Sequence, residues 1–275
     1  MKNLFNILIL LFSLGFSQNE INIDNLTQYG ERYFKENESK PFTGIVFQVS
    51  KETGNKILEY RMSNGIQYGS YKEWYLDGTL KVKGTYNNGM TGLWKYYFEN
   101  GQIKAIGRYK NGDGSDLGYS GAPRNGRSGL WKFYHETGVI SQIGKYESGL
   151  AYGKFTYNYD SGILAQEEFY KEGKLEGSFK SYHENGQMKE EGEFENGIRN
   201  GYFKTYYENG KIREEGYVVD SNYLGEFKRY YENGSIKVEG YTNEDLNLDG
   251  VLKQYNEDGT TTYEFYKDGE LIGTK

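Results

Sequence analysis

The chain has 275 residues, carries 33 basic against 39 acidic side chains for a net charge of −6, and has a mean hydropathy of −0.84; it is too polar to bury a thick aliphatic core. Its 29 Tyr, 15 Phe and 3 Trp, with 38 Gly and only 2 Pro, exclude a disordered chain and point to pleated strands joined by tight turns. The absence of Cys removes disulfides, thiolate metal sites and cysteine nucleophiles, and interspersed charge of both signs offers no basic stripe to nucleic acid or an anionic membrane.

In chain order, 1–17 comes first and is a different material. Lys2 precedes an apolar run from Ile7 to Phe12, extended past Ser13 to Phe16, with small Gly15 and Ser17 behind it. This reads as a secretory signal peptide, too short for a ~20-residue membrane span. Export to the periplasm, cell envelope or exterior is expected, with no membrane contact beyond the leader. Cleavage would remove Lys2 alone among charged residues and leave a net charge of −7. Residues 18–43 read as capping strands, with Arg32-Tyr33-Phe34 and the run from Phe42 to Phe47 flanking a polar turn at 35–40.

From residue 44 onward a repeat takes over, and repeats decide a fold before anything else does. A glycine closing an Asn-Gly-like pair recurs at Gly54, Gly78, Gly101, Gly138, Gly162, Gly186, Gly210, Gly234 and Gly259, at spacings of 24, 23, 37, 24, 24, 24, 24 and 25. About nine hairpin units of some 24 residues follow. With that glycine as position 0, Asn or Asp often precedes it, which predicts two-residue type I′ turns. Position −3 should then face +2, and −7 should face +6.

Position −7 is Tyr71, Trp94, Trp131, Phe155, Phe179, Phe203, Phe227 and Leu252, and +6 is mostly glycine. A ring lying over a cross-strand glycine stabilises a sheet. Positions −7, −3, +2 and +6 are therefore expected to form the core face. On the opposite face, Lys recurs at −6, and −4 is Trp74, Tyr97, Tyr134, Tyr182, Tyr206, Tyr230 and Tyr255. This predicts an exposed aromatic column as a binding surface, unless a bulge turns it inward. A second glycine series at −9 links the units. The fold class is all-β: an elongated antiparallel meander of stacked hairpins, rising roughly 10 Å per two-stranded unit and on the order of 90 Å long. The last strand is expected at 260–266, with charge at its end to discourage pairing.

The strings Tyr206-Tyr207-Glu208-Asn209-Gly210-Lys211-Ile212, Gly192-Glu193-Phe194-Glu195-Asn196-Gly197 and Gly92-Leu93-Trp94-Lys95-Tyr96-Tyr97, with the lead-in Lys40-Pro41-Phe42-Thr43-Gly44, resemble the bacterial MORN-repeat variant family over roughly residues 40–273. The resemblance implies an elongated antiparallel sheet and no known catalysis. Many bacterial members are labelled antitoxin components, and eukaryotic MORN proteins are described as scaffolds with suggested lipid or dimer contacts.

No catalytic constellation stands out, and no enzyme activity, cofactor or metal is expected. His135 and His183 share position −3 two units apart, roughly 20 Å from one another at this rise, too far to hold one metal; they read as replacements for Tyr. Glu at −2 recurs at most hairpin tips, as a solvated turn would. The one irregular place is an insertion at about 113–128, holding Asp113, Asp116, Tyr119, Pro123, Arg124 and Arg127. Loops that break a repeat often carry function, so Asp113, Asp116, Arg124 and Arg127 are candidate site residues beside the −4 column. Asp113-Gly114-Ser115-Asp116 faintly resembles a calcium loop without the remaining ligands. The expected function is a non-enzymatic, exported protein-interaction or scaffold module with a protein partner. The alternatives are an antitoxin or immunity protein and a glycan-binding envelope module.

Overall fold

The structure, a computed structural model, describes residues 19–118 and 120–275; the leader expected at 1–17 lies outside the described residues. Among them the one helical turn is a 3-10 turn at Ile23–Asn25. From Gly44–Val49 to Glu270–Thr274 the chain runs up and down as one sheet, each strand pairing antiparallel with the strand before it. Two strands are interrupted at single residues. Lys174–Leu175 and Gly177–Tyr182 both pair with Leu164–Lys171, and Ile198–Arg199 and Gly201–Tyr206 both pair with Met188–Glu195. The all-β repeat meander read from the spacing is the fold, with one parallel joint at its start, where Glu20–Asn22 pairs with Gly44–Val49.

The two ends differ from expectation. Arg32–Lys35 pairs with Leu26–Tyr29 in a small separate hairpin. The chain then turns back through 35–40 as expected, but only as an isolated antiparallel bridge, Phe34 with Pro41, with the Phe42 amide donating to the Tyr33 carbonyl at 2.9 Å. Phe42 and Val46 are buried with Tyr60 and Met62, and Ile21, Ile23, Leu26 and Tyr33 pack over them. The opening segment thus covers apolar surface that a first repeat would otherwise leave wet. At the other end, Thr261–Lys267 is followed by a two-residue turn and a further strand, Glu270–Thr274. The charged 267–270 stretch is a turn inside the sheet, and the free edge carries exposed Leu271 and Ile272.

Each unit has two chemically distinct turns, and the type I′ assignment belongs to the other one. At the tip marked by position 0, the amide of Gly78 donates to the Tyr75 carbonyl at 3.0 Å and the Tyr75 amide donates to the Thr79 carbonyl at 2.8 Å. Gly101, Gly138, Gly162, Gly186, Gly210, Gly234 and Gly259 repeat the first of these bonds. Only the glycine has positive φ (82° at Gly101, for example), and the Asn before it does not. This is a three-residue loop, a type I turn closed by a left-handed glycine. The linking turns at the opposite edge have both residues at positive φ: Asn64 and Gly65, Ser148 and Gly149, Glu172 and Gly173, Asn196 and Gly197. Their flanking residues pair directly, as Glu147 with Leu150, so the type I′ geometry lies there.

The three-residue tip shifts the register next to it. Position −4 now faces +2 (Tyr97 with Ile103, Tyr206 with Ile212), and −5 faces +4, leaving +3 as a bulge. Beyond the bulge, −7 faces +6 as expected: Trp94 with Gly107, Trp131 with Gly144, Phe203 with Gly216. The last hairpin lacks the bulge, so Leu252 faces Glu264. The core face is therefore built from −7, −5, +4 and +8. Trp94, Tyr96, Ala105, Tyr109, Trp131, Phe133, Tyr146 and Phe155 form one buried cluster, to which the expected −3 and +2 positions do not belong. Its rings meet edge to face in sequence: Trp94 with Tyr109 at 5.9 Å, Tyr109 with Trp131 at 5.0 Å, and Tyr146 with Phe155 at 5.3 Å, a favoured arrangement of ring quadrupoles.

Candidate functional site

Both sequence-flagged regions fall on this sheet, on different parts of it. The −4 aromatics share the face of the −6 lysines, as the alternation requires, but all seven are half-buried. Their hydroxyls knit adjacent units. Tyr206, Tyr230 and Tyr255 donate to Glu191, Glu215 and Glu239 at 2.6, 2.6 and 2.9 Å. Lys204 and Lys253 reach Glu215 and Glu239 at 3.0 and 2.8 Å. Desolvation, with the facing carboxylate, pushes the Tyr206 and Tyr230 phenols up to about 12. The hydrogen bond from Tyr230, with Lys204, holds the Glu215 carboxyl below its usual range. Lys72 lies over Trp74, and Lys83 of the preceding strand lies over Tyr97. Tyr134 and Tyr182 occupy the same register, facing Ile140 and Met188.

Freely exposed aromatics on that face stand at −8 and +7, with Tyr68 and Tyr152 at −10 beside them, all positions that the sequence reading passed over. Tyr202 is 65% exposed and faces Tyr217 across the strands, with ring centroids 6.3 Å apart. Val251 faces Phe265, and Phe169 and Tyr241 stand opposite Lys154 and Glu226. In each pair an apolar side chain meets either another or a charged one. Neither column is aromatic throughout, so neither stands out in the sequence.

Position −3 turns out to be a locking column. The hydroxyls of Tyr75, Tyr159, Tyr207 and Tyr231 donate to the carbonyls of Tyr97, Tyr182, Tyr230 and Tyr255, the −4 residues one unit on, at 2.7–2.8 Å. His135 and His183 bring Nε2 to the equivalent carbonyls of Asn158 and Tyr206 at 2.8 and 3.0 Å. The histidines substitute for Tyr in this lock, each on its own carbonyl. No three His, Asp or Glu side chains gather as a metal site among the described residues.

The insertion folds back over the core face. Leu117 bridges Pro123, the Arg124 amide donates to the Asp116 carbonyl at 2.8 Å, and the Arg124 guanidinium lies 3.9 Å from the Asp116 carboxylate. Asp113 is exposed and accepts from the Ser115 amide at 2.8 Å, and hydrogen bonding from the Ser115 side chain, with that amide, holds its carboxyl below the usual range. Arg127 is only 3% exposed. Its Nε and Nη2 donate to the carbonyls of Pro123 and Ala122 at 2.8 Å, and its guanidinium lies about 5 Å from the rings of Trp131, Phe133 and Tyr146. Between the loop and the sheet is a cavity of about 580 Å³, lined by Asp116, Arg124 and Arg127 on the loop side and by Tyr146, Tyr157 and Tyr170 on the sheet side. Of the four loop residues singled out in sequence, three converge on this cavity, and Asp113 is not in its lining.

The description "MORN repeat variant" fits seven segments of the chain: 67–88, 90–111, 127–148, 151–172, 175–196, 199–220 and 223–244. Together they cover more than half of it, and the gap between the second and third is the insertion. The hairpins at Gly54 and Gly259 lie outside the matched segments. No curated protein matches the chain.

Proposed function

The chain belongs to the MORN repeat variant family, and on that premise we propose that it is an exported interaction module whose outer sheet face docks a protein partner. MORN repeats are interaction modules and not a known enzyme family. The observation that carries the reading is the outer face itself. Half-buried −4 rings and Lys–Glu pairs make a rigid ground, and from it the exposed residues Tyr202, Tyr217 and Tyr241 project. Rigid amphipathic rings give contact area at low entropy cost. Export follows from the apolar leader, which an intracellular module has no use for.

The test is recovery of partners from an envelope extract, using the chain and a variant with Tyr202, Tyr217 and Tyr241 changed to Ser. These side chains make no core contact, so the variant should fold. Loss of a captured protein supports the outer face as the docking surface, and equal recovery by both baits rejects it. Fractionation of cells producing the tagged chain tests export; accumulation of unprocessed chain in the cytoplasm would reject that part.

A further inference from the structure

The cavity under the insertion is chemically unlike the rest of the sheet. Its lining includes three basic side chains, Lys104, Arg124 and Arg127, against one acid, Asp116, in a protein of net charge −6. Asp116 already neutralises Arg124. Arg127 has no carboxylate partner among the described residues, and no acceptor there reaches its Nη1. A buried guanidinium that only carbonyls and ring faces satisfy retains most of its attraction for an anion, because low-polarity surroundings screen it weakly.

The floor of the cavity is specialised as well, in the one matched unit that departs most from its neighbours. In 151–172, position −6 is Thr156 in place of Lys, −4 is Asn158 in place of an aromatic, and +6 is Glu168 where the other six matched units have glycine. Glu168 is buried. The Tyr170 hydroxyl donates to it at 2.5 Å, Gln166 also donates to it, and the Tyr157 hydroxyl lies 3.3 Å from that of Tyr170. Because the Tyr170 proton is directed at the carboxylate, Tyr157 must donate to Tyr170. The Tyr157 oxygen is then left as an acceptor on the cavity floor. A repeat array selected only for stacking has no reason to replace a glycine by a buried acid.

We propose that this cavity binds an acidic sugar, with Arg127 taking the carboxylate or phosphate and Tyr157, oriented through Tyr170 and Glu168, accepting from a ring hydroxyl. Its volume falls within the ~300–1,000 Å³ of small-ligand sites, and aromatic walls with a few placed polar groups are what such sites have. The planar guanidinium fork suits a carboxylate or a phosphate, and the rings of Tyr146 and Tyr170 offer apolar faces to a pyranose. The site is independent of the outer docking face, and either can fail without the other.

Trp131 lies against Arg127, so its fluorescence reports occupancy. Glucuronic acid, glucose 6-phosphate and glucose are titrated into the purified chain and into two variants. Saturable binding is expected for at least one acidic sugar, about tenfold or more tighter than for glucose. Arg127→Lys keeps the charge but loses the fork, and should weaken the acidic sugar about tenfold while leaving glucose unchanged. Glu168→Gly restores the residue of the other units, so it should fold, and should weaken acidic and neutral sugars alike. Equal binding of glucose and both acidic sugars, no saturable response to either, or wild-type affinity in Glu168→Gly would each overturn the proposal and leave Arg127 as a rivet for the loop.

Discussion

Trp131 lies across Gly107 of the preceding unit, so closely that a Cβ built on the glycine would fall among the indole carbons. The same holds for Trp94 over Gly84 and Phe155 over Gly144. Trp94 and Trp131 each face a glycine across their own hairpin, Gly107 and Gly144, whereas Phe155 faces Glu168; all three rings also overlap a glycine on the strand behind. Between units this second overlap is the main packing contact, and it explains why a single-layered sheet is stable without an aliphatic core. Burial of ~150–250 Å² per ring stands in for it.

Gly107→Ala should therefore be costly, by about 1–3 kcal/mol as overpacking usually is, since Trp131 is fully buried and cannot give way. Gly192→Ala should cost less, because the nearest ring atom, on Phe203, would lie 3.3 Å from the added carbon. Urea unfolding of the two variants checks this; equal midpoints would mean that the rings do not lie where described.

The repeat, its antiparallel course and the −7 to +6 pairing were all legible in the sequence, because glycine and aromatic columns recur at one spacing. The turn types were not. Asn-Gly pairs occur at both edges, and only the pairing of flanking residues separates a two-residue loop from a three-residue one. The +3 bulge was hidden because its column, mostly Lys or Arg as at Lys81, Lys104, Lys189, Arg213 and Lys237, reads as an ordinary solvent-facing strand position and carries no Gly, Asn or Pro to mark an irregularity. That hidden residue placed −3 and +2 wrongly in the core. The candidate cavity was half legible. The interruption pointed to Asp116, Arg124 and Arg127, and the missing glycine at 168 was visible in the +6 column, but only the folded loop brings the two together.

The locking column makes a prediction about histidine. Tyr207→Phe removes a hydroxyl that donates to the Tyr230 carbonyl at 2.7 Å, and should cost roughly 0.5–1.5 kcal/mol. His183→Tyr should be tolerated, since a phenol makes this same bond at four other units, whereas His183→Phe should destabilise like Tyr207→Phe. Thermal melts of the three variants at neutral pH decide it. A His183→Phe variant as stable as the parent would show that Nε2 contributes nothing.

Stability should fall at both ends of the pH scale, for opposite reasons. Tyr60, Tyr109, Tyr206, Tyr223 and Tyr230 are raised from 10.0 to about 12, chiefly by desolvation. A phenol raised on folding favours the folded state fully below its unfolded value. That advantage is lost as the unfolded chain ionises first, from about 10 up to about 12. Glu59, Glu215 and Glu239 are lowered, through hydrogen bonds from Lys56, Tyr230 and Lys253 respectively. Their contribution is present above the ordinary carboxylate range and disappears as pH falls through their folded values. Near-ultraviolet circular dichroism should show ring packing lost between pH 10 and 12, and Tyr230→Phe should shift both limbs, the alkaline one because a raised phenol is gone and the acid one because Glu215 loses the hydrogen bond that lowers it. An alkaline limb unchanged in that variant would count against the Tyr230–Glu215 contact.

Thr205 occupies position −5, where other units place Tyr96, Phe133 or Tyr157, and its Oγ1 is buried with no hydrogen-bond partner among the described residues. An unpaired buried hydroxyl costs about 1–3 kcal/mol by mutational measure. Valine has the same shape, keeps the β-branched preference for strand and removes the orphan. Thr205→Val should therefore raise the urea midpoint, where most core substitutions lower it. The neighbouring Phe203 stacks on Arg199 at 4.7 Å, and Arg199 is paired with Glu190, so the surrounding contacts are polar enough for a water to be a competing partner. A lowered midpoint would show that Oγ1 is satisfied by such a water, and that the strand at this unit is held by a bridge absent from its neighbours.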